Sequence, residues 1–161
     1  MRLYLVQHGD ALSKDIDPDR PLSDKGRADV GSVAQLMAKA GTEVSNLLHS
    51  VKSRARQTAE IISAELGCEG AVSQREGLKA MDPVEDWASK ASGLDGDTML
   101  VGHMPFMDKL ACRLIGLDES AEAFGFLPGT VLCLETDGGS SWQVVWMLRP
   151  SLSGTFLKGL K

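Results

Sequence analysis

Short apolar runs that alternate with helix-like segments are the feature that most constrains the fold of this chain. Residues 3–6, 46–48 and 97–101 form three such runs, each too short to be a helix. A run of this length is typical of a strand that is covered on both faces of a sheet. Strands that alternate with helices favour an α/β sandwich with a mostly parallel sheet.

The segments between these runs carry helical patterns. Apolar side chains keep helical spacing over residues 24–40 and 53–66, with Ser23 as a start signal and Gly67 as a stop signal. The remaining predicted elements are helices at 83–91 and 105–115, a small strand at 71–73, and an antiparallel hairpin of 131–135 and 142–147. The ending, residues 151–161, is either a frayed tail or a lid. No linker interrupts the pattern, so we expect residues 1–161 to form one domain.

Composition and charge exclude several classes of protein. The formal net charge of −5 argues against non-specific nucleic-acid binding, which requires a basic face. The cysteines, Cys68, Cys112 and Cys133, are scattered, as expected of reduced thiols in a reducing compartment. No apolar stretch approaches the ~20 residues of a membrane span, and no signal peptide precedes the first strand. We therefore expect a cytoplasmic protein that binds neither nucleic acid nor membrane.

Each of the three histidines falls where a predicted strand ends. His8 precedes Gly9, His103 follows Gly102, and His49 has no glycine beside it. In open α/β sheets, ligands bind outside the carboxyl ends of the strands, and neighbouring strands lie roughly 5 Å apart. We therefore predict that His8 and His103 flank one small ligand, with Gly9 leaving space beside it. His49 is interpreted as a hydrogen-bonded surface residue.

Two arginines stand in the first turn of the helix that follows the second strand. Cations are mildly disfavoured at a helix N-terminus, so a functional use of Arg54 or Arg56 is worth considering. A helix start offers free N–H groups to an anion, and a guanidinium adds a planar fork of donors. We assign Arg54 to an anion site and Arg56 to the solvated surface. Together with the two histidines, Arg54 indicates phosphate chemistry with an imidazole nucleophile.

Four stretches of the sequence, in order, resemble the motifs of one protein family. They are LYLVQHGDA, DRPLSDKGRADV, HSVKSRARQTAEI and LVGHMPFM. They resemble the Arg-His-Gly strand end, the Arg-Pro-Leu-Ser/Thr segment, the Arg-Ala-x-Gln-Thr segment and the second-histidine stretch of the histidine phosphatase superfamily. The small size resembles its SixA-type phosphohistidine phosphatases. The resemblance implies a three-layer α/β/α sandwich of the phosphoglycerate mutase-like kind, and a phosphatase without cofactor or metal.

The resemblance also implies roles for individual residues. His8 matches the family's nucleophile, which accepts the phosphoryl group, and Arg54 and His103 match a phosphate-binding arginine and the second pocket histidine. With Gln7 and Gly9, they form the expected phosphate site. Gln7 stands where the family has its first arginine, and an amide donates hydrogen bonds but carries no charge. Loss of one strong donor typically costs about 10²–10³ in rate, so weak turnover or a changed substrate preference is one expectation.

The general acid is the least defined of the implied roles. The family takes a carboxylate from the loop beyond the third strand, here Asp82, with Glu76 and Glu85 as alternatives, and Asp10 is a further candidate. We choose Asp82 because it precedes Pro83, a residue suited to the first turn of a helix. A phosphohistidine substrate demands less of an acid, since its leaving imidazole accepts a proton readily.

The expected substrate is the phosphohistidine of a signalling protein, with a small phosphate ester as the alternative and inorganic phosphate as the product. A different function is also open: a family member that binds phosphate or a phosphoprotein without turnover. Gln7 favours that alternative, whereas the retained nucleophile, His8, opposes it.

A metal enzyme is the second alternative. It would use a histidine and carboxylate cluster of His8, Asp10, His49 and His103. The spacing does not resemble a local ligand motif, and the charge of Arg54 in such a cluster would repel the metal.

Overall fold

A six-stranded sheet forms the centre of the molecule in the computed structural model, which describes residues 1–139 and 141–159. Its strands are β1 (Arg2–Gln7), β2 (Asn46–His49), β3 (Val72–Gln74), β4 (Thr98–Gly102), β5 (Val131–Glu135) and β6 (Gln143–Leu148), in the order β3-β2-β4-β1-β5-β6. The first four are parallel, and β5 and β6 are antiparallel additions beside β1. This confirms the predicted α/β fold with a mostly parallel sheet.

The helices follow the predicted pattern closely. They are α1 (Asp24–Lys39), α2 (Ser53–Leu66), α3 (Glu85–Ala91), α4 (Phe106–Leu114) and α5 (Pro150–Gly159), with short 3₁₀ turns at Glu69–Ala71 and Glu119–Ala121. The Ser23 hydroxyl caps α1 by accepting a hydrogen bond from the Gly26 N–H, and Gly67 ends α2 in the left-handed conformation. Among the described helices, none is long and apolar enough to cross a membrane.

The two faces of the sheet bury separate apolar clusters. Along β1, Leu3 and Leu5 belong to the cluster under α3 and α4, whereas Tyr4 and Val6 belong to the cluster under α1 and α2. This division follows from the alternation of side chains along a strand. The sheet is therefore covered on both faces, which explains why β1 and β4 are apolar without interruption.

The C-terminal segment is the part of the fold that the sequence left open. Residues 150–159 form α5, which packs against α1, and Ser153 is fully buried there. The predicted frayed tail is therefore wrong for these residues. Residues 160–161 of the segment lie outside the described residues.

Candidate active site

The carboxyl ends of β1 and β4 bring two imidazoles together. The ring centroids of His8 and His103 lie 4.9 Å apart with the ring planes 62° from each other. β1 and β4 are adjacent and parallel, with Gln7 in register with Gly102, so the residue after each strand emerges at the same edge. His103 is buried, with 4% of its surface exposed. The spacing of the two imidazoles is that expected for groups flanking one small ligand.

Hydrogen bonds fix the tautomer of His8. Its Nδ1 lies 2.7 Å from the carbonyl oxygen of Gly9, which can only accept, so Nδ1 carries the proton. Its Nε2 accepts a hydrogen bond from Nε of Arg54 at 3.0 Å. The Nε2 lone pair is therefore held at the N-terminal end of α2, and it becomes a nucleophile when the Arg54 guanidinium turns its hydrogen bond to a bound oxyanion.

Both histidines resist protonation. Burial is the main cause that lowers the pKa of His8 to about 4, helped by the charges of Arg54 and Arg20 and opposed by the Gly9 carbonyl and Asp10. Burial likewise lowers the pKa of His103 to about 3, together with the charges of His8 and Arg54. Near pH 7 both rings are neutral, and a neutral imidazole is the form that attacks phosphorus.

A threonine that the sequence analysis missed ties Arg54 to the nucleophile strand. The Thr58 hydroxyl donates to the Arg54 carbonyl oxygen at 2.8 Å and accepts from the Gly9 N–H at 3.0 Å. Thr58 is fully buried one turn into α2. The Gln-Thr pair in SRARQTAEI was the available signal.

The second histidine is held by the residue that follows β2. The Oγ of Ser50 lies 2.9 Å from Nε2 of His103, and the Ser50 carbonyl oxygen lies 2.9 Å from Nδ1 of His49. His49 is thus hydrogen-bonded, as expected, but it is buried rather than on the surface. Ser50 was not predicted, because its role depends on a contact 53 residues along the chain.

Gly9 is required by packing rather than by an open space for substrate. A Cβ at this position would lie 2.7 Å from Cγ2 of Val30 and 3.1 Å from the Gly26 carbonyl oxygen. Gly26 is equally constrained, because its own Cβ would lie 2.0 Å from the Asp10 carbonyl oxygen. The pair of glycines allows α1 to lie directly against the chain that carries His8.

Gln7 carries a buried polar atom with no partner. Its Oε1 is buried and accepts no hydrogen bond from the described part of the chain. By the alternation along β1, Gln7 follows Leu3 and Leu5 onto the face under α3 and α4. Its backbone is well held, since the N–H donates to the Thr130 carbonyl oxygen at 3.1 Å.

The candidate acids fall in two places. Asp10 adjoins the nucleophile, where its charge raises the pKa of His8, and its carboxylate accepts a hydrogen bond from the Ser23 hydroxyl at 2.5 Å. Asp82 accepts the Lys79 N–H at 2.8 Å in the turn before α3, and Glu76 lies 3.6 Å from the Lys79 ammonium.

The last candidate acid, Glu85, and the second arginine at the start of α2, Arg56, are both surface residues. Glu85 is exposed in the first turn of α3. Arg56 pairs with Glu60 at 2.8 Å on the exposed side of α2, as expected of a solvated residue. Of the four candidate acids, the geometry favours Asp10 over the three in the segment before α3 and at its start.

A metal cluster finds no support in the geometry. Across residues 1–139 and 141–159, no three histidine, cysteine or acidic side chains group as metal ligands would. The site instead joins two neutral imidazoles to a guanidinium, Arg54, that forms no ion pair with any described carboxylate. Such a set defines a site for an oxyanion that a ring nitrogen can attack.

The chain belongs to the histidine phosphatase superfamily (branch 1), whose family model matches residues 3–90. It is also 37% identical over 135 residues to an uncharacterized protein of Picosynechococcus sp. (strain ATCC 27264 / PCC 7002 / PR-6), covering 78% of this chain and 74% of that protein.

Solved structures resemble this one over nearly its whole length. The protein histidine phosphatase SixA complexed with tungstate superposes with a TM-score of 0.83 at 21% identity, covering 94% of this chain and 99% of that chain. A candidate phosphohistidine phosphatase SixA from Agrobacterium tumefaciens gives 0.75 at 25% identity, covering 92% and 97%. The phosphoserine phosphatase of Entamoeba histolytica, in complex with 3-phosphoglyceric acid, gives 0.69 at 15%, covering 91% and 95%. The predicted phosphoglycerate mutase-like fold and the resemblance to the SixA type are confirmed.

Proposed function

We propose that this protein is a phosphatase that transfers the phosphoryl group of its substrate to Nε2 of His8. The observation that carries this proposal is the state of that ring: Nδ1 holds the proton against Gly9, Nε2 is an acceptor, and the pKa is lowered to about 4. A solvated surface histidine would not be expected to have one fixed tautomer and a guanidinium bonded to its unprotonated nitrogen.

The reaction has two displacements. In the first, the Nε2 lone pair attacks phosphorus, the bond from phosphorus to the leaving group breaks, and the leaving atom takes a proton. In the second, water attacks phosphorus, the bond to Nε2 breaks, and inorganic phosphate is released. Arg54 and His103 face the equatorial oxygens, where they stabilise the charge of the transition state. A bound phosphate dianion favours the protonated form of the His103 ring, in which both nitrogens are donors.

The proposed substrate is a phosphohistidine on a protein. Its leaving imidazole accepts a proton without a strong acid, which suits a site where the carboxylate that follows the His8–Gly9 pair, Asp10, is engaged with the Ser23 hydroxyl. Two of the similar solved structures are described as SixA phosphohistidine phosphatases, which supports the same substrate class. Asp10 is the proposed general acid for phosphate esters, in place of Asp82. No metal ion is part of this mechanism.

A second candidate function rests on Gln7. An uncharged residue in the place of the family's first arginine weakens the stabilisation of a transition state more than the binding of a ground state. A protein that holds phosphate or a phosphoprotein without hydrolysing it is therefore the alternative.

Single-turnover incubation with a ³²P-labelled phosphohistidine protein separates the two functions. We expect label on His8 as an acid-labile, base-stable adduct, or phosphate released by the parent protein only. His8→Asn should abolish both, while His49→Asn, a change at the neighbouring buried histidine, should retain them. Phosphate that binds without adduct or release would contradict the phosphatase and favour the binding protein.

A further inference from the structure

We propose that Arg20 is the second guanidinium of the phosphate site, supplying the positive charge that position 7 lacks in this chain. The inference rests on the proposed phosphate chemistry of the pocket and names a residue of that same site. Arg20 lies in the long connection between β1 and α1, next to the Pro-Leu-Ser segment that leads into the helix.

The backbone holds Arg20 in an unusual conformation. Its φ is 49°, in the left-handed region, which is strained for a residue with a Cβ. Its N–H donates to the Asp17 carbonyl oxygen at 3.0 Å, and its neighbour Pro21 accepts the Leu12 N–H at 2.9 Å. Such a conformation persists where the surrounding structure fixes it, and it occurs often at functional sites.

The connection that carries Arg20 is fastened to α2. Within the connection, Ala11 pairs with Leu22 in an isolated β-bridge, and the Leu22 N–H donates to Oε1 of Gln57 at 2.8 Å. Gln57 lies one turn after Arg54 in α2. The segments on either side of Arg20 are therefore tied to each other and to the helix that carries Arg54.

The guanidinium of Arg20 is positioned but not neutralised. Its Nε donates to the Leu12 carbonyl oxygen at 3.1 Å, which leaves both terminal nitrogens without a partner in the described part of the chain. Asp15, Asp17 and Asp19 lie nearby in sequence, yet none of them forms an ion pair with Arg20 in that part. Arg54 is held in the same way, by its Nε alone.

The charge of Arg20 reaches all three groups of the site. Burial is the main cause of the lowered pKa values of His8, His103 and Arg54, and the charge of Arg20 lowers all three further. His8 and His103 follow β1 and β4, and Arg54 lies in the first turn of α2, so Arg20 acts on the point where the three elements meet.

Neither Arg20 nor Arg54 is paired with a carboxylate in the described part of the chain, and their charges repel each other. An oxyanion between them removes this repulsion, and four free terminal nitrogens can bind its oxygens. With Gln7 neutral, Arg54 would be the single guanidinium of the site without Arg20, with the Lys52 ammonium as a further charge that acts on His103. Arg20 adds the second guanidinium for a phosphate dianion.

Orthophosphate binding tests this assignment directly. Titration calorimetry on the full chain should show that Arg20→Gln weakens phosphate binding by about 10- to 100-fold, the loss expected for a hydrogen bond between charged groups. Arg27→Gln removes the same charge from an exposed position on α1 and should leave the affinity within about twofold. Equal affinities for the two variants, or no phosphate binding by the parent protein, would overturn the proposal.

Two further measurements distinguish phosphate binding by Arg20 from a purely structural role. Nuclear magnetic resonance titration should show a raised pKa of His8 in Arg20→Gln and an unchanged one in Arg27→Gln. Restoring a positive charge with Gln7→Arg in the Arg20→Gln background should recover at least part of the phosphate affinity. An unchanged His8 pKa, with no recovery in the double variant, would make Arg20 a loop anchor only.

Failure of the phosphatase proposal gives a different pattern. A parent protein that binds phosphate but never releases it from phosphohistidine, with the Arg20→Gln effect on affinity intact, would leave Arg20 in the site and contradict only the catalysis.

Discussion

Gly9 donates its backbone N–H to the hydroxyl of Thr58 over 3.0 Å, so the strand that carries the nucleophile and the helix that carries Arg54 share one hydrogen bond. The same hydroxyl donates a hydrogen bond to the Arg54 carbonyl oxygen. A single buried side chain therefore sets the distance between the imidazole and the guanidinium.

Replacing this hydroxyl should damage both stability and catalysis. Thr58→Val keeps the shape but leaves the Gly9 N–H buried without a partner, at a cost of about 1–3 kcal/mol. We expect a lower urea midpoint and a lower kcat with little change in KM. Thr155→Val is the matched control, because Thr155 makes the same bond to the carbonyl four residues earlier on the exposed side of α5. Equal effects of the two changes would contradict the link.

The two histidines should make the folded protein less stable in mild acid. The pKa of His8 is lowered from 6.5 to about 4 and that of His103 to about 3, so between these values and pH 6.5 the unfolded chain binds more protons. Stability is then unaffected above pH 6.5 and falls as the pH decreases below it, by about 1.4 kcal/mol per pH unit for each proton. Denaturant unfolding from pH 4.5 to 8 should show a shallower fall in His103→Asn than in the parent. Parallel curves would contradict the lowered pKa.

Gln7 should limit the rate of phosphoryl transfer from small substrates. Gln7→Arg adds a charged donor next to the nucleophile, and we expect kcat for small aryl phosphates to rise about tenfold or more. Gln7→Met is the control: it removes the buried, unpartnered Oε1 at similar volume, and should leave stability equal or higher. No gain with Gln7→Arg would mean that Gln7 is suited to a different substrate.

Substitution of Asp10 should slow the reaction to a degree that depends on the leaving group of the substrate, whereas substitution of Asp82 should not. Asp10→Asn is expected to slow hydrolysis of alkyl phosphates by about 10²-fold or more, and phosphohistidine far less, since an imidazole takes a proton easily. Asp82→Asn removes the charge but keeps an acceptor oxygen in the turn before α3, and it should change neither rate more than a few-fold. Steady-state rates on both substrates provide the measurement, and a larger effect at Asp82 would restore it as the acid.

The strand-end histidines could be found from the sequence because strand geometry alone brings them together. His8 and His103 each follow a recognisable apolar run, and parallel strands end at the same edge. Ser50, Thr58 and Arg20 could not be found in this way. Their roles depend on hydrogen bonds between distant segments and on a left-handed residue in an irregular connection, neither of which leaves a periodic signal.

The sequence predicts that the glycine beside the nucleophile leaves space for a ligand, whereas the structure gives a packing reason for it. A ligand-access argument requires only that small residues stand near the site. The structure adds that Val30 and Gly26 of α1 occupy the space a side chain at Gly9 would need. Packing between an irregular turn and a helix is decided in three dimensions, so sequence spacing alone does not report it.

That close fit makes the nucleophile depend on the first helix. Gly26 packs against the Asp10 backbone, so α1 and the turn that follows His8 are in direct contact. A change in α1 that weakens this contact is therefore expected to displace the nucleophile and lower activity even where the sheet stays folded.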